Sequence, residues 1–111
     1  MFSNIKELEA SQLAEMLNNK ADVQVVDIRQ PAEVAAGTVP GAEMMPMHTI
    51  PLRIQEIKQD KPVVLVCRSG ARSAQACMFL AQQGFENVFN LRGGMMGWAG
   101  SGLQIGLPQA V

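Results

Sequence analysis

Seven residues concentrate the chemistry of this chain: Cys67-Arg68-Ser69-Gly70-Ala71-Arg72-Ser73. They follow the apolar run Val63-Val64-Leu65-Val66 and open a helical stretch, so strand, tight loop and helix N-terminus succeed one another without a spacer. Sites in open α/β sheets form at the carboxyl ends of strands, which is where Cys67 falls. Ser69, Gly70 and Ala71 are small enough for the backbone to curl until several N–H groups face one centre, forming an anion nest. A cysteine facing that nest and the positive end of a helix dipole is stabilised as thiolate, with a pKa below the free value of ~8.5. Arg68 and Arg72 add positive charge. The predicted chemistry is nucleophilic attack by a thiolate, which needs no general base because no proton has to be removed first. The same donors suit a persulfide anion or the oxygens of a small sulfur-containing anion.

The elements that must position this loop alternate short β-rich runs with helical stretches, the pattern of a parallel α/β sheet. Ile5 to Glu9 reads as a weak opening strand. Ser11 is the expected N-cap of a helix carrying Leu13, Met16 and Leu17 on one face and ending near Asn18 and Asn19. Val23 to Ile28 is a strand with both faces buried. Pro31 starts a short helix that Gly37 stops. Pro40-Gly41 makes a turn before a short strand over Glu43 to Met47. Pro51 sits in the first turn of a predicted helix with Leu52, Ile54 and Ile57 as its apolar positions, and Pro62 closes that unit. After Val63 to Val66 come a helix from Ala71 to Gln83 stopped by Gly84, a strand from Asn87 to Leu91, a break at Gly93-Gly94, and a short helix over Met96 to Ala99 before a Gly-rich tail. The expectation is one domain over residues 1–111, ordered from about residue 4 to about residue 105, with no internal repeat.

Composition agrees with this. At 111 residues the chain has the length of one core, burying roughly 65% of its unfolded surface. It is 48% apolar and 17% charged, a folded rather than a disordered balance. A net charge of −1 with scattered Lys and Arg provides no basic face for nucleic acid. Met1 to Leu8 mixes polar, charged and apolar residues, and no apolar run is long enough to cross a bilayer. The prediction is a soluble, cytoplasmic protein.

The two cysteines read as independent thiols. Cys77 falls about six residues into the helix after Cys67, some 9 Å along its axis, beyond the ~7 Å Cα limit for a disulfide. His48 is the one histidine and no second Cys or His lies at ligand spacing, so neither a metal nor a cofactor is expected. Cys77, flanked at helical spacing by Ala74, Met78 and Ala81, reads as a core thiol. Asp27 and Arg29 read as an ion-paired scaffold at a strand end supporting the loop, with Glu33 as partner of one of the arginines. His48 reads as a surface residue, Trp98 as a core anchor, and Arg53, Lys58 and Lys61 as a solvated face.

The loop, together with Val26-Asp27-Ile28-Arg29, Glu33, Gly37-Thr38-Val39-Pro40-Gly41-Ala42 and Gly93-Gly94 followed by Trp98, resembles the single-domain rhodanese family. The matches run in the family's order from Asp27 to Trp98. The resemblance implies a rhodanese-like α/β fold, a mainly parallel, roughly five-stranded sheet with helices on both faces. It also implies sulfurtransferase activity: Cys67 takes sulfane sulfur from a donor such as thiosulfate, holds it as a persulfide, and gives it to cyanide or an acceptor thiol, which a sulfur-carrier protein could bear. Backbone amides from Arg68 through Ser73 are the expected cradle, and Arg72 corresponds to the family's loop arginine. The alternative is a persulfide carrier in a protein relay with little thiosulfate turnover. Phosphatases and arsenate reductases similar in fold carry one more residue between cysteine and arginine than the four found here. The shorter loop matches a terminal sulfur better than a tetrahedral phosphate. Thr38 stands where the family commonly has His, a change expected to be structural. Met44, Met45 and Met47 with Met95 and Met96 suggest core filling, with some of them forming an apolar lip for a partner bearing the acceptor thiol.

Overall fold

A computed structural model describes residues 5–110. Its centre is β4 (Val63–Val66), four consecutive buried apolar residues. A strand covered on both faces needs no polar alternation, and burying each of these side chains contributes about 1.5–3 kcal/mol. The faces separate by period two. Val63, Leu65 and Cys67 belong to one core cluster with Ala76, Cys77 and Leu80. Val64 and Val66 belong to the other, with Leu13, Met95 and Trp98. Cys67 therefore continues the strand's alternation and turns its side chain to the face covered by the helix that follows.

Around β4 lie β1 (Lys6–Leu8), β2 (Gln24–Asp27), β3 (Glu43–Met44) and β5 (Val88–Leu91), in the order β1-β5-β4-β2-β3. Every strand pair in this sheet is parallel. The connections contain α1 (Ala10–Asn18), α2 (Pro31–Ala36) and α3 (Ala71–Gln82), and α4 (Gly94–Gly100) follows β5. The parallel five-stranded sheet with helices on both faces agrees with the expectation from sequence. Among the described residues no helix is long and apolar enough to cross a membrane.

Several boundaries differ from those the sequence predicts, each for a local reason. Glu9, not Ser11, caps α1: the Gln12 side chain reaches back to accept the Glu9 amide at 2.7 Å, which starts the helix as soon as β1 ends. The third strand shrinks to Glu43–Met44 because Pro46 has no N–H for the ladder, although Met45 and Met47 still donate to the Asp27 and Ile28 carbonyls. Pro51 does not open an α-helix. It lies inside a 3-10 turn, Met47–Leu52, followed by a second, Ile54–Glu56. Thr49 starts the first by donating backbone and hydroxyl protons to the Pro46 carbonyl. In this arrangement Ile50 and Ile57 are buried but Leu52, one of the apolar positions of the predicted helix, is 81% exposed. The predicted order from residue 4 begins outside the described residues. At the other end, order runs past residue 105: Gly106 pairs with Thr38, and the Gln109 amide donates to the Ala42 carbonyl.

Candidate active site

The turn after β4 is built around Gly70, whose φ of +98° lies in the left-handed region that favours glycine. It serves as N-cap of α3, and the first turn of any helix leaves its amides without intrahelical acceptors. Here they converge on sulfur: the Gly70 amide donates to Cys67 Sγ at 3.1 Å and the Ser73 amide at 3.4 Å. Ser73 Oγ lies 3.2 Å from the same atom. The Ala71 amide turns to Ser69 Oγ instead, at 3.4 Å, so the nest uses fewer amides on Sγ than the whole run from Arg68 to Ser73.

A second structure holds the loop from behind. The Cys67 and Arg68 carbonyls accept the Met95 and Met96 amides at 2.8 and 2.9 Å, from the first turn of α4. Gly94 permits this approach, since a Cβ there would lie 2.5 Å from both carbonyl oxygens and its φ is +58°. Gly94 is thus a contact requirement of the Cys67 loop and not merely a break before a helix, while Gly93, with φ of +80°, caps α4.

Burial pushes the Cys67 thiol up, but the Ser73 hydroxyl and the amides of Ser73, Gly70 and Ser69 outweigh it, and the net shift is below the ordinary value. The direction agrees with the sequence argument; the agents differ. Arg68 and Arg72 are exposed and are not among the groups that lower the pKa. The leading favourable contribution is a side-chain hydroxyl, which the sequence argument, counting backbone amides, missed. Cys77 has no such donors: burial pushes it up to about 12, with Glu7 and Cys67 adding to the rise. Both thiols are free.

Cys67 opens onto a cavity of about 430 Å³ walled by Ile28, Met47, Glu33, Arg68 and Arg72 among others. Arg29 lines it, and Asp27, buried behind, forms with it the ion pair predicted at the strand end. Arg29 forms a bidentate pair with the fully buried Asp27 carboxylate, 2.8 Å at its shortest, and donates to the Gly37 carbonyl at 2.7 Å. Glu33 is not the arginine partner expected. Its carboxylate accepts the Gln30 amide at 3.3 Å, capping α2, and it enters no ion pair among the described residues. His48 is exposed. Trp98 is buried, its Nε1–H donating to the Gln104 carbonyl at 2.8 Å. Of the methionines, Met45 and Met95 are buried in the two core clusters, so neither is available as a lip. Met47 lines the cavity, and Met96, 59% exposed, adjoins the loop through its amide bond to Arg68.

Sequence reasoning also passed over Asn90. It is buried in β5, hydrogen-bonded to Ser73, Gly70 and Glu7. The one available signal was a polar residue at the centre of an otherwise apolar strand, Val88-Phe89-Asn90-Leu91.

Comparison with known proteins places this geometry in context. The family described as Rhodanese-like domain matches residues 9–101. A sulfurtransferase of Allochromatium vinosum is 50% identical over 105 residues, 95% of this chain and 98% of the relative. The thiosulfate sulfurtransferase GlpE of Pseudoalteromonas translucida is 37% identical over 93 residues, 84% of this chain and 88% of the relative. Among solved structures, a rhodanese-like domain protein from Staphylococcus aureus superposes with a TM-score of 0.79 at 33% identity, covering 85% of this chain and 91% of that one.

Proposed function

Given that the chain belongs to the rhodanese-like family of sulfurtransferases, we propose that Cys67 carries sulfane sulfur as a persulfide between a small sulfur anion, such as thiosulfate, and a thiol acceptor. The observation that carries this reading is the convergence of the Gly70 amide, the Ser73 amide and the Ser73 hydroxyl on Cys67 Sγ, all within 3.4 Å. Those donors favour the thiolate, the form that attacks.

In the loading step the Cys67 thiolate attacks the outer sulfur of thiosulfate. A new S–S bond forms, the donor's S–S bond breaks, and its electron pair leaves with sulfite. Charge is conserved: the persulfide keeps the single negative charge that the thiolate brought. Loop amides at the start of α3 then face the terminal sulfur anion, and the Arg68 and Arg72 side chains at the cavity wall attract the dianionic donor. In the discharge step an acceptor thiolate, or cyanide, attacks the terminal sulfur and the pair returns to Cys67. The two steps share no ternary complex, so ping-pong kinetics follow. A protein acceptor would approach over Met47, which lines the cavity, with the exposed Met96 beside the loop as a second apolar contact. A reducing cytoplasm suits the two free thiols.

Intact mass after incubation with thiosulfate tests the reading. Wild type should gain one sulfur atom and lose it to cyanide, whereas Cys67→Ser should gain none. Uptake from polysulfide but not from thiosulfate would favour a relay carrier, and no uptake from either would overturn the persulfide assignment.

A further inference from the structure

Behind the sulfur stand two buried polar side chains, Ser73 and Asn90, whose link to one another the reaction as described does not use. Ser73 Oγ, 3.2 Å from Cys67 Sγ, is also hydrogen-bonded to Asn90 Oδ1. The orientation of the Asn90 amide is fixed from its other end, where Nδ2 donates to the Gly70 carbonyl at 3.1 Å and to Glu7 Oε2 at 3.0 Å. Both partners are acceptors, so the nitrogen must face them and the oxygen must face Ser73. Neither Ser73 nor Asn90 is open to bulk solvent.

A serine hydroxyl has one proton. Between a thiolate and an amide oxygen it can serve only one acceptor at a time. The amide oxygen asks for that proton in every state; the sulfur competes strongly only when it is anionic. In a persulfide the charge sits on the terminal atom, and Sγ becomes a neutral divalent sulfur, a weak acceptor like a thioether.

We propose that the Ser73 hydroxyl changes partner in each half of the cycle, donating to Cys67 Sγ in the thiolate and to Asn90 Oδ1 in the persulfide, with Asn90 as the positioning residue that takes it back. This rests on the persulfide reading above. Its consequence is an asymmetry between the two half-reactions. During discharge, charge returns to Sγ as the S–S bond breaks, and the hydroxyl swings from Asn90 to meet it, an interaction stronger in the transition state than in the ground state. During loading the same bond is surrendered. Ser73 therefore improves Cys67 as a leaving group while making it a less eager nucleophile, as expected when thiol exchange depends oppositely on the attacking and departing thiols.

The test measures each half-reaction alone, in single turnover, at a pH where the ultraviolet thiolate absorbance shows every variant to be ionised. Ser73→Ala should slow discharge to cyanide about tenfold, the loss expected for a hydrogen bond to a charged group, and leave loading from thiosulfate unchanged or faster. Thiolate titration adds a sign. Ser73→Ala should raise the Cys67 pKa, whereas Asn90→Ala, which removes the competing acceptor, should lower it. Equal slowing of both halves in Ser73→Ala, or an upward shift in both variants, marks a structural role and overturns the proposal. If wild type never loads sulfur, the persulfide reading fails and the alternation across the cycle with it, and the opposed titration shifts then decide only whether Asn90 competes with Sγ for the hydroxyl.

Discussion

The Thr38 hydroxyl donates to Asp27 Oδ2 at 2.7 Å, with both residues fully buried. Asp27 also accepts the Arg29 amide at 3.0 Å and the Arg29 guanidinium, so this buried carboxylate is met from several sides. Thr38 thus supplies a buried donor to the carboxylate, so the residue at this position keeps Asp27 partnered. Thr38→Val keeps the shape and deletes the donor. It should cost about 1.5–3 kcal/mol, the range for a hydrogen bond to a charged group, read as a lower urea midpoint. Sulfur uptake by the folded variant should persist, because Thr38 lines no part of the Cys67 cavity. An unchanged midpoint would show that Asp27 does not need the hydroxyl.

Gly94 should be among the least replaceable residues outside the loop itself. An alanine there meets the Cys67 and Arg68 carbonyl oxygens and adopts a left-handed conformation costing about 1–2 kcal/mol. Because those carbonyls belong to the loop that aims Sγ, the clash is relieved only by moving the loop. Displacement on the order of 1 Å at a reacting atom costs about a hundredfold in rate. Gly94→Ala should therefore lower both melting temperature and sulfur uptake, while Gly100→Ala in the same helix, with no atom within 4 Å of its Cβ, should change neither appreciably. Wild-type uptake by Gly94→Ala would refute the contact argument.

What sequence made visible, and what it hid, follows from the range of the interactions. The β4 strand, the loop and α3 are contiguous and were readable as apolar run, small-residue turn and helix start. The Asp27–Arg29 pair is local for the same reason. Asn90 lies 17 residues beyond Ser73, in the neighbouring strand, and only strand order brings it behind the sulfur. Glu33 misled because a carboxylate among arginines looks like the partner of one of them, whereas its own helix terminus, three residues away, offers a nearer donor. Met95 misled similarly: adjacent Met95 and Met96 share one composition signal, but the rotation of about 100° between successive helical residues sends the first into the core and the second to the surface. The 3-10 turns around Pro51 were missed because apolar spacing alone does not register the missing N–H of proline.

The two thiols, shifted in opposite directions, should be separable by pH. For Cys67 the folded pKa is lowered relative to an ordinary thiol at ~8.5. The associated stabilisation is present above that ordinary value and is lost as pH falls through the folded one. For Cys77 the folded pKa is raised to about 12, so its contribution is complete below the ordinary value and drains away as pH climbs toward 12. Iodoacetamide at neutral pH should therefore place one adduct on native wild type and none on native Cys67→Ser, counted by intact mass, with Cys77 reacting only after unfolding. Adduct on Cys77 in the native protein would mean that α3 opens near Cys77 on the timescale of the reaction. Absence of adduct on Cys67 would mean that its sulfur is closed off by the same loop that favours its thiolate, and a sulfur carrier cannot be closed in that way to a reagent as small as its own substrates.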